Sequence, residues 1–349
     1  MPPLRPARSA VTLKDVADRV GVTAAAASMA LAGRGRISDR TRAAVRRAAN
    51  ELGYVPSSAG RALRKQHAGA VALIVPNTSQ HVFGHDYFMH VLTGLSAAAN
   101  ARGAQVIVST NTDAAGEAGA IGAYERVMRS RSADGAIVTS AAIDDPHLEA
   151  LVALGLPVVL IGSFPYLPDA VSVGIDDLAA SEQITAHLLD THARAGLVYV
   201  SGPLDHQAGL DRRDGFVRAL TRRGLDPSGR IIEGDFSETS GPPRLRSLLA
   251  SGPGFDGLVF ANDDMAFGGL QVLKAAGRSV PDQVAVAGFD DFGLARLTTP
   301  GITTVRVPAQ ELARLATDCL FALVDGAPVT PRRRLLPVSL TIRQSCGCR

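Results

Sequence analysis

From Gly69 onward the chain alternates short aliphatic runs with amphipathic helical stretches, and it does so twice. AVALIVPN, AQVIVST, DGAIVTS and LPVVLIG have the nearly continuous apolar character of strands covered on both faces. Between them, residues 87–101, 117–129 and 147–154 carry helical spacing. A further edge element, AVSVGID, leads into a helix at 179–191. The pattern then restarts as LVYVSG, helix 211–223, RIIEGD, helix 243–250, GLVFAND, helix 265–276 and VAVAGFD. Strands alternating with helices of this length predict parallel sheets with helices on both faces. The restart predicts two similar lobes, a division that suits roughly 280 residues.

Ahead of this body, Thr12 to Leu52 shows a different rhythm of three short helical patterns broken at Gly21 and around Gly33 to Gly35. Thr12 is placed to cap the first helix, with Asp15 reaching back to the cap. Leu13, Val16, Ala17 and Val20 then form one apolar stripe. Thr23 caps a second helix running to about Ala32, and Ser38 caps a third in which Ala44, Val45, Ala48 and Leu52 face inward. Gly53 ends it. The turn glycine and the caps predict a DNA-binding helix-turn-helix, whose second helix offers Thr23, Ala24, Ala25, Ser28 and Met29 to base edges. Charge agrees. Residues 1–67 hold thirteen Lys or Arg against four Asp or Glu, a net +9, while the remainder is net −6. A basic head on an acidic body is the footprint of phosphate contact; the plainer reading is a solvated basic three-helix bundle.

The first ten residues, MPPLRPARSA, lack an apolar core and read as a disordered basic arm rather than a targeting segment. No run of about eighteen apolar residues occurs, so no membrane span is expected. Cys319, Cys346 and Cys348 do not form a disulfide framework, and a reduced, cytoplasmic protein fits. The terminal Cys346-x-Cys348 pair could bind metal, but with no neighbouring His or further Cys pair in sequence a plain reduced tail is the favoured reading. No metal and no cofactor are expected.

Together with GYVPSSAGRALRKQ, the head resembles the DNA-binding domain and hinge of the LacI/GalR family of transcriptional repressors, and the resemblance runs through nearly the whole chain. It implies a disordered arm at 1–10, a helix-turn-helix domain at 11–53, a hinge at 54–67 and a two-lobed effector-binding and dimerisation domain at 68–349. The first lobe would hold about 68–193 and 292–322, the second about 194–291 and 323–349. The fold class is an all-α head plus an α/β sensor of two doubly wound parallel-sheet lobes, of the periplasmic-binding-protein type. TTPGITTVRVP, helix 310–324 and RRRLLPVSLTIR resemble the segments that cross back between lobes. By the same resemblance Thr12, Ser38, Thr41 and Ser57 join the DNA-contacting set, and Leu63 is the hinge wedge that enters a minor-groove step. Ser57 stands where the family usually has Asn, and Gly60 weakens a hinge helix by about 1 kcal/mol relative to Ala. Ala24, Ala25 and Met29 allow no bidentate base contact, which shifts readout toward thymine methyls, backbone contacts and DNA shape.

Ligands of such sheets bind beyond the carboxyl ends of strands. Asn262 and Asp263 end GLVFAND, Asp290 and Asp291 end VAVAGFD, and Arg212 opens the helix after LVYVSGP. The resemblance gives Arg212, in RRDG, the place of the family's effector-binding arginine, and gives Asn262 and Asp290 the places of its cleft amide and carboxylate. Phe236 and Tyr87 or Phe88 match positions where relatives set aromatic rings against the ligand. Each residue also has a plainer reading: Asn262 as a helix cap, Asp291 as a turn cap, Arg212 as a surface ion pair with Asp214, Phe88 as core.

An enzyme is the competing class. The string GPGFDG at Gly252 to Gly257 fits a dinucleotide fingerprint, but it precedes a strand instead of following one. A transported-solute receptor would share the sensor fold without a DNA-binding head. The expected protein is a homodimeric regulator, nucleoid-associated in the cytoplasm. It would bind pseudo-palindromic operator DNA and respond to a small molecule, a sugar by default and a nucleobase or nucleoside as the alternative. The family's tetrameric members carry a leucine-heptad tail beyond the sensor, and RQSCGCR does not resemble one.

Overall fold

The computed structural model describes residues 11–54, 67–111, 117–130, 132–251 and 254–348. Two compact units meet between Ala68 and Gly69.

In the first unit α1 (Leu13–Val20), α2 (Ala24–Leu31) and α3 (Asp39–Leu52) close over a small core of Val16, Ala17, Ala27, Ala30, Val45, Ala48 and Ala49. Half-buried Leu13, Val20, Val22, Leu31, Ile37, Leu52 and Tyr54 pack around these small buried side chains. The caps carry much of the definition. Thr12 and Asp15 form a reciprocal capping box, with the Thr12 N–H donating to Asp15 at 2.8 Å and the Asp15 N–H to Thr12 Oγ1 at 3.3 Å. Thr23 accepts from the Ala26 N–H and Ser38 from the Thr41 N–H. Gly21, at φ 73°, makes the left-handed turn that redirects the chain from α1 to α2.

The second unit opens with β1 (Ala70–Thr78), a short helix α4 (Ser79–Gly84) and α5 (Asp86–Ala101). Then come β2 (Gln105–Asn111), α6 (Glu117–Ser130), β3 (Gly135–Thr139), α7 (Pro146–Ala153), β4 (Val158–Ile161) and β5 (Val171–Gly174). The second run holds α8 (Asp177–His192), β6 (Leu197–Ser201), α9 (Gln207–Thr221), β7 (Ile231–Glu233), α10 (Gly241–Ser251), β8 (Gly257–Phe260), α11 (Asp263–Ala275) and β9 (Ala285–Ala287). A return segment supplies α12 (Leu294–Leu297), β10 (Thr304–Arg306), α13 (Ala309–Val324), β11 (Arg333–Leu335), β12 (Ser339–Thr341) and a 3₁₀ turn at Gln344–Cys346.

The first sheet is parallel, in the order β11-β5-β4-β3-β1-β2, and the second is parallel in the order β7-β6-β8-β9. Both runs place their second strand outside their first, so the repeat in the sequence is a repeat in topology. Strand β1 shows why its run is continuously apolar. Val71, Leu73 and Val75 belong to one core and Ala72 and Ile74 to the core on the opposite face.

The allocation of segments to lobes departs from the sequence expectation at three points. Helix α8, expected in the first lobe, packs along α9 of the second. Adjacency to β5 in sequence did not decide this; shape did. Gly215 of α9 lies so close to α8 that a Cβ there would stand 2.3 Å from the Leu178 carbonyl oxygen, and the Ser181 hydroxyl donates to the Arg212 carbonyl at 2.6 Å. The approach to β10, expected in the first lobe, bridges β9 through Thr303 and pairs with β12. Residues 333–335, expected in the second lobe, extend the first sheet beside β5, which is therefore not its edge. The chain thus crosses between lobes after β5, after β10 and after β11, which puts all three crossings along one side of the cleft.

Gly215→Ala tests the close packing of α8 on α9. Better helix propensity favours Ala by about 1 kcal/mol, while overpacking against a backbone carbonyl costs about 1–3 kcal/mol. The expected outcome is a net loss, seen as a lower urea midpoint with an unchanged slope.

Candidate functional site

The carboxyl ends of both sheets face one cleft of about 1150 Å³, its open mouth included. Lobe 1 contributes Tyr87 and Phe88 from α5, Thr139 from the end of β3 and Phe164 after β4. Lobe 2 contributes Arg212, Phe236, Asn262 and Asp290. All six residues singled out in the sequence line this one space.

Arg212 is the anchor. Its Nε donates to Asp177 at 2.7 Å, its Nη1 to the Ala261 carbonyl at 2.6 Å and to Asp290 at 3.4 Å. The guanidinium lies 3.8 Å above the Phe289 ring and 5.8 Å from that of Phe236. These contacts commit Nε and Nη1, and the residue lines the cleft. Burial works against the guanidinium charge, but Asp177 and Asp290 outweigh it and push its pKa up. The anticipated surface pair with Asp214 belongs instead to Arg213, at 2.7 Å.

The carboxylates show the opposite balance. Burial raises Asp177 despite Arg212, and raises Asp290 to about 7, again against Arg212, with Asp264 and Asp177 adding repulsion. Asp263 lies well above the ordinary range because it is buried beside Asp290. Its Oδ2 accepts the Asp291 N–H at 2.7 Å, and among the described residues Oδ1 has no hydrogen-bond partner. Asp291, by contrast, is held low. Burial opposes its charge, but hydrogen bonds from Arg343 at 2.5 Å and Arg306 at 2.8 Å prevail. It fixes the return segment rather than capping a turn.

Asn262 does two jobs at once. Its Oδ1 caps α11 by accepting the Met265 N–H at 3.0 Å, and its Nδ2 donates to the Phe236 carbonyl at 2.8 Å. That second bond steadies a ring whose backbone is at φ 69°, a conformation uncommon for a bulky residue. Asp290 at φ 113° and Asp291 at φ 60° share this feature. Gly202 completes the cradle, since a Cβ there would lie 2.1 Å from the Phe236 ring.

On the opposite wall the Tyr87 hydroxyl is 3.0 Å from Thr139 Oγ1, and burial pushes the phenol up to about 12. Phe88 is 4% exposed and packs edge-on against Tyr87 and His81. It supports the wall more than it faces the cleft.

Sequence reasoning missed Asp177, Thr139 and the histidines His81, His85 and His90 on and between α4 and α5. Asp177 lies as far beyond the end of β5 as Asp290 lies beyond the end of β9, so the strand-end rule that selected Asp290 also reaches it. His85 Nδ1 meets Asp264 at 3.0 Å across the cleft, and His90 stacks on Phe292 at 4.8 Å. No local pattern marks these interlobe pairs. Partial burial, with His85 beside it, lowers the His81 ring to about 4.

In the head, Thr23, Ala24, Ala25 and Met29 are exposed and Ser28 is half-buried. Met29, 41% exposed, rests its sulfur near Gly35. Thr12 and Ser38 spend their oxygens on caps, and the Thr41 hydroxyl is 2.8 Å from that of Ser38. Arg34, Arg36, Arg40, Arg46 and Arg47 are exposed. Ser57 and Leu63 lie outside the described residues, as do the arm at 1–10 and most of the hinge.

A helix-turn-helix unit carried in one chain with a two-lobed cleft of the periplasmic-binding type defines the class. Residues 12–57 match the model for bacterial regulatory proteins of the lacI family, and residues 185–346 that for a periplasmic binding protein-like domain. The chain is 33% identical over 337 residues to the HTH-type transcriptional regulator CelR of Thermobifida fusca, covering 96% of this chain and 98% of that protein. A solved CelR–cellobiose complex matches with 31% identity and a TM-score of 0.73, over 96% and 99% of the two chains. The lac repressor dimer bound to operator and the anti-inducer ONPF matches at 25% identity and a TM-score of 0.86, over 97% and 99%. The chain belongs to the LacI family of bacterial transcriptional regulators.

The raised Asp290 pKa has a measurable sign. Between the unfolded value near 3.8 and the folded value near 7, the folded chain keeps a proton that the unfolded chain has lost. This group's contribution therefore falls as pH rises through that window. Relative to Asp290→Asn, the parent protein should lose thermal stability progressively from pH 4 to 7; parallel curves would contradict the assignment.

Proposed function

We propose that this protein is a homodimeric repressor whose operator affinity is set by a saccharide bound between the two lobes. The observation that carries the saccharide is the pairing of a fixed guanidinium with aromatic faces and strand-end carboxylates in one cleft. Arg212 Nη2 donates to ring or hydroxyl oxygens, Asp290 accepts hydroxyl protons, and Phe236 offers an apolar face to the flat side of a sugar ring. The solved relative that holds cellobiose supports the same class. The site is read as one that binds and releases its ligand unchanged.

On the DNA side, two heads reading a pseudo-palindrome together supply the interface that one small head lacks. Thr23, Ser28 and the exposed arginines serve phosphates, Ala24, Ala25 and Met29 give apolar contact with thymine methyls, and Leu63 wedges the central step. Bound to operator, the dimer acts at the nucleoid. Effector contacts both lobes, so it binds their two relative orientations unequally and shifts the balance between them. By linkage, operator changes effector affinity by the same factor.

A thermal-shift screen of mono- and disaccharides against nucleosides tests the effector class. At one hundred times Kd a true effector stabilises the protein by about 2.7 kcal/mol. A response to nucleosides alone would transfer the cleft to that class. Arg212→Lys keeps the charge but loses the planar fork, so it should abolish the saccharide shift and the operator response while operator binding itself persists. Because hydroxyl donors favour the ionised carboxylate, saccharide affinity should rise with pH up to about 7 and level off above it. Asp290→Asn should flatten that profile.

A further inference from the structure

The Cys-Gly-Cys segment that sequence alone presents as an isolated reduced tail has two histidines beside it in space. His187 and His192 project from the last turns of α8, and the 3₁₀ turn after β12 carries Cys346 and Cys348 to them. One ligand atom from each of the four lies within 4.8 Å of the others. Cys346 Sγ is 3.5 Å from His187 Nε2, while Cys348 Sγ is 3.8 Å from His187 Nε2 and 3.3 Å from His192 Nε2. A tetrahedral ion bonded at about 2.3 Å to sulfur and 2.0–2.1 Å to nitrogen requires sulfur–nitrogen edges of about 3.6 Å. The three observed edges bracket that value.

We propose that His187, His192, Cys346 and Cys348 form a closed Cys2His2 site for a structural divalent transition metal, with zinc the best chemical fit. Two thiolates and two imidazoles suit zinc in charge, softness and coordination number, and leave no open position for a substrate. The surroundings orient the ligands. Thr191 Oγ1 is 3.4 Å from His187 Nδ1, which directs Nε2 to the cluster, and the Thr303 hydroxyl is 3.1 Å from Cys346 Sγ, placed to donate to a thiolate. As a thiol, Cys346 donates to the Arg343 carbonyl at 3.3 Å, a contact that metal binding exchanges for a metal–sulfur bond. Gly347, at φ 111°, turns both sulfurs to one side, and a Cβ there would come within 3.1 Å of His192 Nδ1. Cys346 is fully buried while the other three are half-buried, so an ion has a route in.

The site would staple the segment after β12 to α8, the helix whose first residue, Asp177, pairs with Arg212. It is independent of what the cleft binds. Cobalt(II) chloride added to reduced, untagged full-length protein is the direct test. One equivalent should give a thiolate-to-cobalt charge-transfer band and tetrahedral d–d absorption, both displaced by zinc chloride. Cys348→Ser and His192→Gln should each lose the charge-transfer band or weaken it with a changed d–d pattern, whereas Cys319→Ala, a buried thiol outside the cluster, should keep the parent spectrum. Protein isolated without chelator should carry one zinc per chain, and a chelator should lower the Tm of the parent but not of Cys348→Ser. No thiolate band in the reduced parent, or an identical band in both ligand variants, overturns the site. A thiol count showing Cys346 and Cys348 joined under reducing conditions overturns it as well.

Discussion

The contact between Arg212 and Asp177 is the constraint around which the sensor is arranged. A buried guanidinium needs charge and hydrogen-bonding partners on several sides, and here they come from three separate places: the start of α8, the carbonyl after β8 and the carboxylate after β9. None of these is near Arg212 in sequence. For Asp177 to reach it, α8 must leave the lobe that holds β5 and lie along α9. For α8 to lie so close, residue 215 must be glycine. The R-x-x-G spacing of RRDG therefore joins two requirements, a cation at the cleft and a notch one helical turn later for the helix that neutralises it. A buried ion pair is weak evidence for stability, because desolvation offsets much of the attraction. Its value here lies in holding a donor in place where a ligand can meet it.

The cleft also holds backbone tension. Phe236, Asp290 and Asp291 all adopt positive φ without being glycine, and each is secured by a side chain from elsewhere. Asn262 grips the Phe236 carbonyl, and the Asp291 N–H binds Asp263, while Arg306 and Arg343 hold the Asp291 carboxylate. Such conformations cost about 1–3 kcal/mol each and persist where surrounding contacts over-determine them. They cluster where strand ends turn into the cleft, so the geometry presented to a ligand is built before it arrives. This is the economy of a binding site: little of the ligand's interaction energy is spent on ordering the protein.

Much of the fold could be read from residue patterns because parallel strands covered on both faces leave a strong apolar signal. Val71 to Val75 alternate between two cores, and each restart of that signal marked a strand. The cleft residues were legible for a related reason, since Asn262 and Asp290 sit directly where apolar runs end. What escaped was relational. The assignment of α8 depended on a close approach at Gly215, and the place of 333–335 depended on an open edge beside β5; neither leaves a periodicity. Arg212 and Arg213 are indistinguishable in the string RRD, and only the direction of the helix face decides which enters the cleft and which pairs with Asp214. The Cys346-x-Cys348 pair fails as a motif for the same reason. Its neighbours, His187 and His192, are over 150 residues away in the chain.

The route from cleft to DNA follows from where contact is thin. The two lobes are joined by three backbone crossings, and elsewhere they meet through individual contacts: side-chain pairs such as His85 with Asp264 and His90 with Phe292, and the Ile143 N–H donating to the Asp205 carbonyl at 2.7 Å. Under the proposed function, a ligand that touches Arg212 on one wall and Tyr87 on the other would bridge the cleft and favour one relative orientation of the lobes. On the second helix of the head, Ala24, Ala25 and Met29 are exposed side chains without a hydrogen-bonding group able to make a bidentate base contact, so under the proposed reading two heads acting together matter the more.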